Sequence, residues 1–196
     1  YQGFDALFHS TEGYLNKTAN EMSDLFSLKS ISLIGNSLAK AVADGSNEAA
    51  RADIALANTF AGIVESTSGC ISEHSIEHAL SAFHPKLPHG AGLIMISIAY
   101  YMFLVQSGSC DQRLVDMAKA LGKKGASEPL DFVIALRELQ RDCGVDKLKM
   151  SDYGIQREEI PKIAQNARDT MGALYQVDPC TISLEDTIKI LEESYL

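Results

Sequence analysis

Apolar residues recur three and four apart along most of this chain, and that period limits its fold more than any other feature. Leu25, Leu28, Ile31, Leu33, Ile34, Leu38, Ala41 and Val42 form one such stripe, and Gly45 stops it. The same spacing predicts helices over 49–64, 71–83, 89–105, 112–121 and 129–141. Asp111 is the expected cap of the fourth of these, and Pro129 opens the fifth. Residues 150–155 read as a connecting segment, followed by amphipathic helices over 157–170 and 184–195. Ser183 with Asp186 three residues on predicts an N-terminal cap for the last helix. No segment alternates with period two between hairpin turns. The chain is therefore expected to be all-α, with eight or nine helices on one core spanning residues 1–196.

Charge and cysteine usage narrow the functional classes. Lys and Arg number 17 against 26 Asp and Glu, a net charge of −9, which argues against nucleic acid and anionic membrane as partners. Cys70, Cys110, Cys143 and Cys180 form no CxxC pair, and reduced thiols in a cytoplasm are the expectation. No signal-peptide pattern opens the sequence. The apolar run 93–105 is short for a membrane span and contains Ser97, so a buried helix is expected. The 14 glycines never form a dinucleotide or P-loop fingerprint: Gly90-Ala91-Gly92 lacks the third glycine and follows no strand.

The histidines carry the strongest local signal. All five (His9, His74, His78, His84, His89) fall in the first 89 residues. Asp5 and His9 are four apart, which on a helix sets a carboxylate and an imidazole on one face, as a divalent ion requires. His74 and His78 repeat that spacing, and His89 follows in Pro88-His89-Gly90, a turn ahead of an apolar helix. Aspartate with several histidines and no cysteine suits Fe²⁺ or Zn²⁺ rather than a structural zinc. His74-Ser75-Ile76-Glu77-His78 also fits H-x-x-E-H, the inverted zinc-protease pattern with Glu77 as general base, but that reading leaves Asp5, His9 and His89 without a role.

Asp5-Ala6-Leu7-Phe8-His9 followed by Glu12-Gly13-Tyr14 resembles the D-A-L-x-H-x-x-E-x-Y signature of the iron-containing (group III) alcohol dehydrogenases. The stretch from His74 through Ala79-Leu80-Ser81-Ala82 to Pro88-His89-Gly90 resembles the same family's H-x-x-x-H-x-L-x-A…P-H-G segment, and Ala50-Arg51-Ala52 and the Ser183 region resemble its helices. The resemblance covers essentially the whole chain. It implies the all-helical, metal-bearing C-terminal domain of a two-domain enzyme whose N-terminal α/β domain binds NAD or NADP and is absent from this chain, which starts at Tyr1 rather than Met. It implies Asp5, His9, His74 and His89 as ligands of Fe²⁺, with Zn²⁺ suited to the same set. It places His78 beside the nicotinamide and the substrate as the catalytic, cofactor-facing residue. The implied activity is NAD(P)-linked interconversion of an alcohol and an aldehyde or ketone, performed by the intact enzyme and not by this chain alone, with homo-oligomerisation as a further expectation.

Two departures bear on the substrate pocket and the cofactor preference: Phe8 stands where threonine is common, and the segment between His78 and Pro88 is one residue longer, with His84 inside it as a loop histidine. Two alternatives stay open. One is a related superfamily enzyme, such as a glycerol dehydrogenase or a dehydroquinate-synthase-like lyase. The other is a non-enzymatic helical interaction or regulatory domain retaining a metal site. Tyr100, Tyr101, Met102 and Phe103 are expected in the core, the acidic C-terminal residues on a solvated face, and Cys70 as a small buried thiol near the cleft.

Overall fold

The computed structural model describes residues 1–195; Leu196, the last residue of the predicted domain, lies outside them. Nine α-helices and no strand are present among the described residues: α1 (Gln2–Leu15), α2 (Glu21–Ala43), α3 (Glu48–Thr67), α4 (Ser72–Phe83), α5 (His89–Ser107), α6 (Asp111–Ala120), α7 (Leu130–Asp142), α8 (Ile160–Met171) and α9 (Leu184–Ser194). The expected all-α architecture is the observed one.

Three local readings need correction. Asp111 does not cap α6: Cys110 holds the cap position, and Asp111 opens the first turn, where its charge favours the helix dipole. The 150–155 connection contains a turn of 3-10 helix, Met150–Tyr153. The helix expected over 157–170 starts as a 3-10 turn, Arg157–Glu159, before α8 begins, with Pro161 in its first turn where no backbone N–H is needed. The last helix follows its prediction, since Ser183 and Asp186 form the reciprocal cap through Asp186 N to Ser183 Oγ at 3.1 Å and Ser183 N to Asp186 Oδ2 at 2.9 Å.

α2 and α3 pair as a hairpin, and α1 packs across both. Buried hydroxyls tie the three together: Ser10 donates to Ser30 Oγ at 2.8 Å, and Ser30 donates to the Ala57 carbonyl at 2.9 Å. Arg113 of α6 clamps the neighbouring ends of α1 and α2. Its guanidinium donates to both oxygens of Asp24, at 2.9 and 3.0 Å, and to the Tyr14 carbonyl at 2.6 Å, and lies over the Tyr14 ring. On the other side α5 runs through the core between α4, α7 and α9. Its 19 residues are long and apolar enough to cross a membrane, a longer helix than the sequence predicts, yet it is mostly buried, with Leu93, Ile96, Tyr100, Tyr101 and Leu104 inaccessible.

α4 is the unusual element. Ser72, Glu73, His74, Ser75 and Glu77 are all buried on it, and it has no side-chain cap of its own. Its N-terminal N–H groups are met by acids from distant segments. Glu12 Oε2 accepts from Ile71 N at 2.7 Å, and Asp178 Oδ1 accepts from Ser72 N at 3.1 Å. Close helix approach depends on glycines: a Cβ at Gly92 of α5 would strike the Glu77 carboxylate, and one at Gly35 of α2 would enter the Leu121 carbonyl.

The Leu121 obstacle is backbone and cannot rotate away. Gly35→Ala is therefore expected to lower stability by about 1–3 kcal/mol, read from the urea midpoint at unchanged m-value. An unaltered midpoint would show that α2 does not sit this close to the end of α6.

Candidate metal centre

Three helices deliver the chemistry to one point. α1 carries Asp5 and His9 one turn apart, α4 carries His74, and α5 begins at His89. Asp5 Oδ1 lies 3.4 Å from His9 Nε2, 3.5 Å from His74 Nε2 and 3.3 Å from His89 Nε2. These separations are long for hydrogen bonds. Asp5 Oδ1 and His74 Nε2 are in fact buried with no hydrogen-bond partner. Orphaned buried polar atoms are costly unless something binds them. Ligands about 2.0–2.2 Å from a common ion in tetrahedral array stand roughly 3.3–3.5 Å from one another, so the carboxylate and the imidazoles are spaced as co-ligands. One oxygen and three nitrogens, with no sulfur, suit a borderline divalent ion such as Fe²⁺ or Zn²⁺.

The opposite edge of each ring is also engaged. His74 Nδ1 donates to Glu12 Oε1, and His89 Nδ1 donates to Glu77 Oε2. His9 Nδ1 faces Cys70 Sγ at 3.1 Å and Glu65 Oε2 at 3.4 Å. Partners on Nδ1 set the tautomer that leaves Nε2 free to ligate. Glu77 is itself held by Ser81, and the bare Cα of Gly92 gives it room.

The electrostatics follow from this geometry. Burial opposes ionisation of Asp5, but the His74 and His89 imidazoles outweigh it and hold the carboxyl well below its usual range. Burial pulls the His74 pKa down, and the Glu12 and Asp5 carboxylates more than reverse this. His89, opposed by burial in the same way, is raised to about 9 by Asp5 and Glu77. His78 moves the other way: partial burial and the neighbouring His89 lower its pKa, which leaves its imidazole neutral near pH 7.

His78 lies on the exposed rim. Its ring centroid is 5.2 Å from that of His89 and 6.3 Å from that of His74, and its nitrogens are not among those that converge on Asp5. His84 lies apart, with Nε2 3.2 Å from a Glu159 carboxylate oxygen, as expected of a loop histidine. The inverted-protease reading fails on geometry, because Glu77 is fully buried and bound to His89 and Ser81, where it cannot activate water. A cleft of about 1000 Å³ opens onto Asp5 and His89 between α1, α2 and α3, with Leu38, Val42 and Ile54 as apolar wall and Arg51 as its cation. Tyr100 and Tyr101 are in the core as expected, each with its hydroxyl bonded: Tyr100 donates to Asp178 at 2.9 Å, and Tyr101 pairs with Thr11 at 2.6 Å.

Sequence reasoning assigned no role to Glu12, Glu65 or Glu73 and offered Glu77 only as a protease base. Glu12 and Glu77 each lie three residues from a histidine of their own helix, yet each bonds a histidine of another helix, so the spacing gave no signal for these contacts.

The sequence profile of the Fe-containing alcohol dehydrogenase family, C-terminal, matches residues 1–195. Alcohol dehydrogenase 4 of Saccharomyces cerevisiae is 27% identical over 98% of this chain and 49% of its own length. Long-chain-alcohol dehydrogenase 1 of Geobacillus thermodenitrificans is 33% identical over 84% of this chain and 42% of its own. Among solved structures, an archaeal halo-thermophilic alcohol dehydrogenase from a Red Sea brine pool superposes with a TM-score of 0.91 at 28% identity, covering 98% of this chain and 49% of that one. The chain thus spans about half the length of the relatives it matches.

The charge arrangement has a measurable consequence without bound metal. The folded pKa values of His74 and His89 lie above the unfolded value, so their contribution to stability is full below about pH 6.5 and fades as pH rises through about 9. The Tm of chelator-treated protein is expected to fall across that window, and less so in His89→Asn. A Tm that holds or rises would mean these imidazoles do not face the carboxylates.

Proposed function

The chain belongs to the iron-containing alcohol dehydrogenase family, and from that membership we propose that Asp5, His9, His74 and His89 hold a catalytic divalent ion, Fe²⁺ by family. On this reading the chain is the metal-bearing half of a two-domain, NAD(P)-linked enzyme that interconverts an alcohol with an aldehyde or ketone. The observation that carries it is the convergence of three Nε2 atoms on Asp5 Oδ1, with that oxygen and His74 Nε2 buried and unpartnered.

When bound, the ion supplies Lewis acidity, lowering the pKa of an alcohol oxygen or polarising a carbonyl. The chain's residues do the rest. Glu12 and Glu77 fix the rings of His74 and His89, so the ligand set is assembled before substrate arrives. His78, neutral and on the solvent edge, takes the alcohol proton at an imidazole nitrogen and passes it to water. Leu38, Val42 and Ile54 shield the cleft on one side. The nicotinamide cofactor comes from the N-terminal α/β domain of the parent enzyme, the partner to this half, and a cytoplasmic setting suits the free thiols. By itself the chain binds metal and does not turn over alcohol. The match to the alcohol dehydrogenase family and its relatives favours this over a non-enzymatic interaction domain that retains a metal site.

In the intact enzyme, His74→Ala or His89→Ala is expected to reduce metal content, measured by elemental analysis, to near zero. Retained metal in His89→Ala would sink the ligand assignment. His78→Asn is expected to keep full metal and lower kcat by about 10²-fold; loss of metal would place His78 among the ligands instead.

A further inference from the structure

The far edge of His9 differs from that of the other two histidines. His74 and His89 each turn Nδ1 to a single carboxylate. His9 turns Nδ1 to a thiol and a carboxylate that also touch each other: Cys70 Sγ at 3.1 Å, Glu65 Oε2 at 3.4 Å, and 2.9 Å between Cys70 Sγ and Glu65 Oε2. Nitrogen, sulfur and oxygen stand at the corners of a small triangle. The ligating atoms of His9, Cys70 and His74 also all fall within 4.8 Å of one another.

From this geometry we infer that His9 Nδ1, Cys70 Sγ and the Glu65 carboxylate form a second site for a thiophilic divalent ion such as Zn²⁺, sharing His9 with the centre proposed above. Metal–ligand lengths of about 2.0–2.3 Å put tetrahedral ligands roughly 3.3–3.6 Å apart, so the triangle needs to widen by only a few tenths of an ångström. Glu65 supplies that freedom, since its side chain is 46% exposed and forms the outer corner. It also leaves the fourth coordination position open to water. A thiolate, an imidazole and a carboxylate together select zinc-like ions, whereas the oxygen and nitrogen set around Asp5 lacks sulfur. Binding expels two protons to solvent, one from the Cys70 thiol and one from His9 Nδ1, and His9 becomes an imidazolate bridging the two ions.

The site rests on His9 alone being shared, so the two centres can be scored separately. The full protein, stripped of metal and reduced, is titrated with Co²⁺. The expected stoichiometry is two ions per chain, with a thiolate-to-cobalt charge-transfer band in the near ultraviolet that grows with the second equivalent. Cys70→Ser is expected to abolish that band and bind one ion, with visible d–d bands intact. Glu65→Gln, at a half-exposed position that tolerates substitution, is expected to weaken the second equivalent at least tenfold and leave the first. One ion per wild-type chain, with or without the thiolate band, overturns the second site. Two ions with no thiolate band overturn it as well. Absence of the first, sulfur-free equivalent would instead count against the catalytic centre.

Discussion

One buried carboxylate organises this molecule. Glu12 sits inside α1 with no solvent access, and its two oxygens do different things. Oε2 receives the Ile71 amide and so caps α4, a helix with no capping side chain of its own; Oε1 receives His74 Nδ1. The position of α4, the tautomer of His74 and the direction of His74 Nε2 are therefore set by one side chain. An unpaired buried charge costs several kcal/mol. Removal of His74 would leave the Glu12 carboxylate buried without its imidazole partner.

Around Glu12 the negative charge accumulates. Asp5, Glu65 and Glu77 all face imidazoles of the same cluster, and among the described residues their ion pairs are made with the histidines themselves. Protons on His74 and His89 balance part of the charge, and a divalent ion held as proposed would do so more completely, since it would meet Asp5 and all three rings together. Any ion that binds the folded chain alone stabilises it by mass action, about 4 kcal/mol at a thousandfold excess over Kd. Under that proposal, fold stability and metal supply would be coupled through the same side chains. Two acids lie outside this balance: Glu73, fully buried, has its pKa raised well above the usual carboxylate range by burial and by Glu12, and Asp178 is pushed up to about 6 by burial.

The helical architecture was legible because its signal is periodic and local: stripes of Leu, Ile and Ala three and four apart, glycine stops, and the Ser183–Asp186 cap. Spacing marked Asp5 with His9, His74 with His78, and His89 as candidates, and the set of Asp5, His9, His74 and His89 came from the family resemblance. What escaped was everything that depends on distance through space. Glu12 and Ile71 are 59 residues apart, and His9 and Cys70 are 61 apart. No local rule reveals that an acid in α1 closes the N-terminus of α4, or that Cys70 abuts His9 rather than filling a gap. The glycines of Gly90-Ala91-Gly92 show the same limit. As a nucleotide motif they were rightly set aside, but their purpose, to clear space for the Tyr1 backbone and for Glu77, exists only in the packed state.

The borrowed capping of α4 bears on how the chain acquires its form. α1, α2 and α3 can pair from neighbouring sequence, whereas α4 stays without N-terminal partners until Glu12 and Asp178 arrive. Asp178 lies 106 residues beyond the amide it receives. Contacts of such sequence separation carry a large loop-closure cost and form late. During synthesis, the Ser72 amide at the N-terminus of α4 therefore lacks its acceptor until the segment carrying Asp178 has emerged. A nascent chain halted before that point already contains Asp5, His9, His74 and His89 and the acids that hold two of the rings, with His74 on a helix whose N-terminus is only partly capped. The side chains around Asp5 are thus complete in sequence well before the helix that carries His74 is fully capped.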